Sequence, residues 1–181
     1  MGEKNKSLKM LERWVESMED EYAEGIELLA RGKNNAALHF FEKRMDNNHY
    51  LVHYGLATAK FKEKRDALTE PETRDIIAHY EVAMKQKPVF ADAFLMCGMA
   101  YEQLAGVLMR AFKQHPYKNM DKQVTGIKAV LRKAKKLIEK AVELNPDFSD
   151  VATSELRVYK TRMRGIDNLK AHYMEIKHHQ N

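Results

Sequence analysis

Apolar residues recur every three or four positions along almost the whole chain, and no stretch holds the two-residue alternation of a half-buried strand. The first stripe is Leu8, Leu11, Val15, Met18, Tyr22, Ile26 and Leu29. It predicts one amphipathic helix from about Leu8 to Arg31, with Ser7 as its N-cap and Gly32 as its stop. Asn34 or Asn35 opens a second helix carrying Ala37, Phe40, Phe41 and Met45, which Asn47-Asn48 breaks. A third runs from Tyr50 to about Lys64. Pro71 suits the first turn of a fourth, Glu72 to Lys87, and Pro88 follows its end. The fifth, Ala91 to His115, ends at Pro116; the sixth, Asp121 to Leu144, ends at Asn145-Pro146. Ser149 is placed to cap a seventh helix reaching Arg164, with Gly165 as its stop. Asp167 then caps a short eighth, with Leu169, Tyr173 and Ile176 on one face. The pattern predicts an all-α chain of about seven or eight helices.

Small residues fall where paired helices would cross. The fifth helix carries Phe94, Gly98 and Tyr101, and the sixth ends with Ala134, Ile138, Ala141 and Pro146. A weaker version has Tyr54, Leu56 and Ala57, then Ile76, Tyr80, Ala83 and Pro88. The weakest has Gly25, Ala37 and Phe41, with Arg44 and His49 where alanine and proline would stand. In this order and at this spacing, the residues resemble the tetratricopeptide repeat (TPR) family, in which helical hairpins stack into an α–α superhelix. The resemblance covers roughly residues 18–160. It implies repeat-like units at 18–49, 50–90 and 91–148 of a single domain spanning 1–181. A helical extension (1–17) precedes them and capping helices (149–181) follow.

The spacing within units departs from the family in one direction. Gly25 to Ala37 is the ordinary 12 positions, Ala57 to Ile76 is 19, and Gly98 to Ala134 is 36. An antiparallel hairpin keeps its register if both helices lengthen equally. The last excess therefore predicts about three extra turns on each helix. Leu104, Val107, Leu108, Ala111 and Phe112 continue one stripe, and Val124, Ile127 and Leu131 supply its match. The prediction is one long α-hairpin, Ala91–Leu144, projecting from a short stack. Lengthened hairpins and a helical end are also similar, more distantly, to the plant-type import receptor of the mitochondrial outer membrane. That similarity implies a receptor for basic amphipathic targeting peptides, which a basic C-terminal half would repel.

The TPR resemblance implies a concave face lined by the first helix of each unit. In this sequence those positions are Tyr22, Ile26 and Leu29, then Tyr54, Thr58 and Phe61, then Leu95, Met99 and Glu102. Such a lining suits an apolar or amphipathic partner segment. It lacks the lysines and asparagines that hold a chaperone's C-terminal carboxylate, because Tyr22, Ile26, Thr58, Asp92 and Met96 stand at those places. The expected partner is another protein or peptide, with a homodimer through the long hairpin as a further option.

Charge adds a second candidate. Residues 1–100 carry 15 Lys/Arg and 17 Asp/Glu, a balance of −2; residues 101–181 carry 16 and 9, a balance of +7. Lys128, Arg132, Lys135 and Lys136 on the sixth helix, with Arg157 and Arg162 on the seventh, form a possible polyanion patch for nucleic acid or an anionic lipid surface. No aromatics interleave with these cations to stack bases, and a solvated helix face is the simpler explanation for them.

Catalytic chemistry finds no residue set. His49 and His53 have i, i+4 spacing but no His-Glu-x-x-His motif, and Cys97 stands where a core leucine is usual. No glycine-rich phosphate loop or serine elbow occurs. One cysteine makes no intrachain disulfide, and no run of about 18 apolar residues is present. The expectation is a non-enzymatic, cytoplasmic interaction protein needing no metal and no cofactor.

Overall fold

A computed structural model describes residues 20–64, 67–116 and 118–179. The expected N-terminal extension, with Ser7, Trp14 and the stripe from Leu8 to Met18, lies outside them. The described residues form seven α-helices and no strand: α1 (Asp20–Ala30), α2 (Asn34–Glu42), α3 (Tyr50–Lys64), α4 (Glu70–Gln86), α5 (Ala91–Gln114), α6 (Met120–Leu144) and α7 (Ser149–His179). Consecutive helices pack on one another as a stack of hairpins, and α1 also meets α3.

Local chemistry sets the breaks. Gly32 adopts a left-handed φ of 71° after α1, while its N–H reaches the Leu29 carbonyl and the Lys33 N–H reaches that of Leu28. This is the Schellman closure that glycine permits without strain. Asn48 takes φ 45° after a single 3-10 turn, Met45–Asn47. Thr69 and Glu72 form a reciprocal capping box, the Glu72 carboxylate accepting from the Thr69 N–H at 2.9 Å. That box starts α4 two residues earlier than Pro71 alone suggests.

α3 is the centre of the stack: every residue from Leu51 to Ala59 is buried. A helix apolar on all sides belongs inside a protein, and here α1, α2, α4 and α5 surround it. Glycine seams admit the close approaches. A Cβ on Gly55 would lie 2.2 Å from the Phe41 ring, and one on Gly98 would lie 2.6 Å from Ile138 Cγ1 and 3.1 Å from the Ala134 carbonyl oxygen. The seam expected between Gly98 and Ala134/Ile138 is therefore present.

The long hairpin is also present. α5 has 24 residues and α6 has 25, so each is about 36 Å long. It does not project alone. Ala105, Phe112, Val124, Ile127 and Leu131 form a core at its far end with Ile166 of α7. This core explains why the expected stop at Gly165 and the separate eighth helix do not occur. α7 runs unbroken for 31 residues, and Gly165 keeps a helical backbone. A glycine within a helix costs about 1 kcal/mol, and burying the adjacent isoleucine offsets that. Ser149, expected as an N-cap, instead donates its hydroxyl to the Pro146 carbonyl at 2.5 Å.

Candidate interaction site

The structure corrects the expected concave lining. Tyr22, Ile26, Leu29, Tyr54, Thr58, Phe61, Leu95 and Glu102 are buried, and Met99 is half-buried. The covering groups can be named. His49 stacks on Tyr22 with ring centroids 4.6 Å apart. Phe90 and Tyr80 close over Tyr54 at 4.9 and 6.0 Å. The Thr58 hydroxyl hydrogen-bonds the Tyr80 hydroxyl at 3.1 Å inside the core. Leu95 packs with Phe148, in the 3-10 turn Pro146–Phe148, and with Ala152 in the first turn of α7. Met99 fits between the main core and that second cluster. The backbone carbonyl of Glu102 accepts a hydrogen bond from the Arg162 guanidinium of α7. These side chains are interior because adjacent helices and α7 fill the space an open trough would need. Truncating Phe61, only 2% exposed, would remove stability before it tested binding.

The six candidate cations do not act as one surface either. Lys128 pairs with Asp167, and Lys135 pairs with Glu139 at 2.5 Å. Arg162 ties α7 to α5, and Arg132, Lys136 and Arg157 are exposed. Lys133, in the same run, pairs with Glu81 at 2.6 Å and lies over the Tyr101 ring, joining α6 to α4 and α5. The stripe expected on α6, Val124, Ile127 and Leu131, is covered within the chain.

The histidines divide in the same way. His49 stacks on Tyr22, and His53 pairs instead with His79. Among the described residues no three candidate ligands converge as a metal site. Cys97 is buried, and burial pushes its thiol well above the usual range, with the Glu81 carboxylate acting in the same direction. A thiol held protonated is a poor nucleophile.

An open site lies elsewhere. Above the first turn of α4, the α5–α6 hairpin continues with no described helix over that side. A cleft of about 540 Å³ occupies the space. Half-buried Leu108 and Val130, with Ala111 and the edge of Ile127, make its floor. Gly126 also lines it, and a Cβ there would meet nothing within 4 Å. Arg74, Lys118 and Lys122 stand at its rim. Arg74 is engaged by Glu70 at 2.7 Å, whereas Lys118 and Lys122 make no ion pair among the described residues. Asp121 of the same turn is held by Lys170 of α7 at 2.7 Å.

Sequence reasoning places Leu108, Ala111 and Ile127 on the hairpin stripes and does not single out Val130. The signal for an open cleft was the length mismatch between a 17-residue α4 and its 24-residue neighbour. The protein is thus an all-α stack of helical hairpins with an apolar-floored cleft at one end. No protein-family model matches the chain, and no characterised protein matches it in sequence. No described helix is long and apolar enough to cross a membrane.

Proposed function

We propose that this chain is a TPR-like protein–protein interaction module, a cytoplasmic scaffold, adaptor or assembly factor that acts without catalysis. It holds an apolar or amphipathic segment of another protein. The observation that carries this reading is the cleft beside Leu108 and Val130, a concave apolar surface with a polar rim of the kind that receives partner side chains. The glycine seam at Gly98 supports the TPR-like part. Capture by the inner face of the first helices has lost its open residues, so the binding site moves to the end of the long hairpin. The polyanion reading has less support, because Lys128, Lys135 and Arg162 already hold partners within the chain.

The test is quantitative affinity capture with the intact chain beside Gly126→Trp, which fills the cleft from a position with space for a side chain. Proteins retained by the intact chain and released by the variant, at equal thermal stability, are the expected result. If nothing is retained above a blank matrix, or retention ignores the substitution, a binding role for this cleft is lost.

A further inference from the structure

The charge around the cleft narrows what fits it. From residue 108 to 126 the sequence carries four basic residues, Arg110, Lys113, Lys118 and Lys122, against one acidic residue, Asp121. Lys170 engages that aspartate. Glu70 and Arg74 cancel within α4, which leaves Lys118 and Lys122 as uncompensated charges beside an apolar floor. The floor has helical geometry. Leu108 and Ala111 are one turn apart on α5, and Ile127 and Val130 are one turn apart on α6, so the two rows bound a groove. α7 packs at the far side, where Ile166 joins Phe112 and Leu131. A third helix laid on the open side would bury Leu108 and Val130 as α7 buries its own side. Gly126, at the groove's edge, leaves room for close backbone approach.

We infer that the cleft is a docking groove for an acidic amphipathic helix of a partner protein. This helix places apolar side chains at i, i+3/i+4 and i+7 on the Leu108–Val130 floor and carboxylates against Lys118 and Lys122. The inference rests on the interaction reading above and specifies its partner. Recognition combines an apolar contact, insensitive to salt, with a rim contribution that salt screens.

The experiment uses the full chain and three probes: a labelled amphipathic peptide with leucines on one face and glutamates flanking them, its twin with every glutamate replaced by lysine, and polyglutamate. Fluorescence anisotropy should give binding of the acidic peptide at least about tenfold tighter than of its twin, with no competition from polyglutamate at equal charge. Lys118→Glu with Lys122→Glu should weaken it about tenfold or more, Gly126→Trp should do the same, and Lys136→Glu, outside the cleft, should leave it unchanged. Equal binding of the two peptides, full competition by polyglutamate, or a loss no larger than that of Lys136→Glu would each overturn the inference. The charge reversals are on exposed positions, so they decide the matter even if Gly126→Trp fails to fold. A chain that retains a partner through Gly126 in the capture experiment but ignores the acidic peptide keeps the interaction role and loses this partner class.

Discussion

His53 and His79 face each other across the α3–α4 hairpin with their Nδ1 atoms 2.9 Å apart. Asn48 fixes the direction of the proton. Its Oδ1 accepts from His53 Nε2 at 2.9 Å, so His53 Nδ1 is the acceptor and His79 Nδ1–H the donor. The surrounding groups are Gln86, which donates to the Asn48 carbonyl, and Asp75, 3.9 Å from His79 Nε2 and itself paired with Lys60. Burial lowers the pKa of both imidazoles; the facing histidine lowers that of His53 further, while at His79 Asp75 pulls upward and Lys60 downward. For a base whose pKa is lower folded than unfolded, the unfolded chain binds the extra proton. The pair's contribution is therefore whole above the unfolded value of 6.5 and is lost as pH falls below it. Urea midpoints from pH 8 to pH 5 should drop more steeply for the intact chain than for the His53→Gln/His79→Gln variant, and parallel curves would refute the coupling.

Asp92, in the first turn of α5, has the opposite sign. Burial raises its carboxyl from 3.8 to about 7. The folded state then resists ionisation, so its cost is nil below about pH 4 and grows toward neutrality. Asp92→Asn should stabilise the chain by roughly 1–3 kcal/mol at pH 8 and by almost nothing at pH 4, read as the difference between thermal melts at the two values.

Two glycines of the long hairpin make a contrasting pair. At Gly98 a methyl would press on Ile138 and the α6 backbone, so Gly98→Ala should cost about 1–3 kcal/mol. At Gly126 the same methyl meets nothing, and Gly126→Ala should gain about 0.5–1 kcal/mol through helix propensity alone. Denaturant midpoints on the two variants should move in opposite directions; movement in the same direction would mean the α5–α6 seam is misplaced.

Arg162 holds the last helix down. Its guanidinium lies over Gly106, where a Cβ would come 3.1 Å from Nη1, and donates to the Glu102 carbonyl. Arg162→Met keeps the apolar stem and removes the donors, and should cost about 1–3 kcal/mol. Hydrogen exchange should accelerate in α7 and leave α3 protected; acceleration spread evenly over both would mean that α7 is not a separately released element.

The sequence alone determined the helical class and most of the helix ends before α7. α3, Tyr50–Lys64, and the end of α6 at Leu144 follow from apolar period and from Asn and Pro punctuation, because those signals act within one turn of the chain. The 24-position excess between Gly98 and Ala134 was legible as hairpin length, since register fixes how two antiparallel helices can grow. Thr69-x-x-Glu72 is an equally local signal, and it sets the start of α4 ahead of Pro71. Only the tertiary structure decided which stripes are covered. Period identifies an apolar face but not the element that lies on it. Tyr54, Phe61 and Leu95 thus read as a groove and fold as core, because Tyr80, Phe90 and the start of α7 close over that side. Gly165 reads as a stop, and Ile166 carries the helix through it by packing in a cluster with residues 35 to 61 positions earlier. The open end of the hairpin has the same cause: α4 begins at Glu70, seven residues short of its neighbour's length, and no local signal on α5 or α6 records what its partner fails to cover.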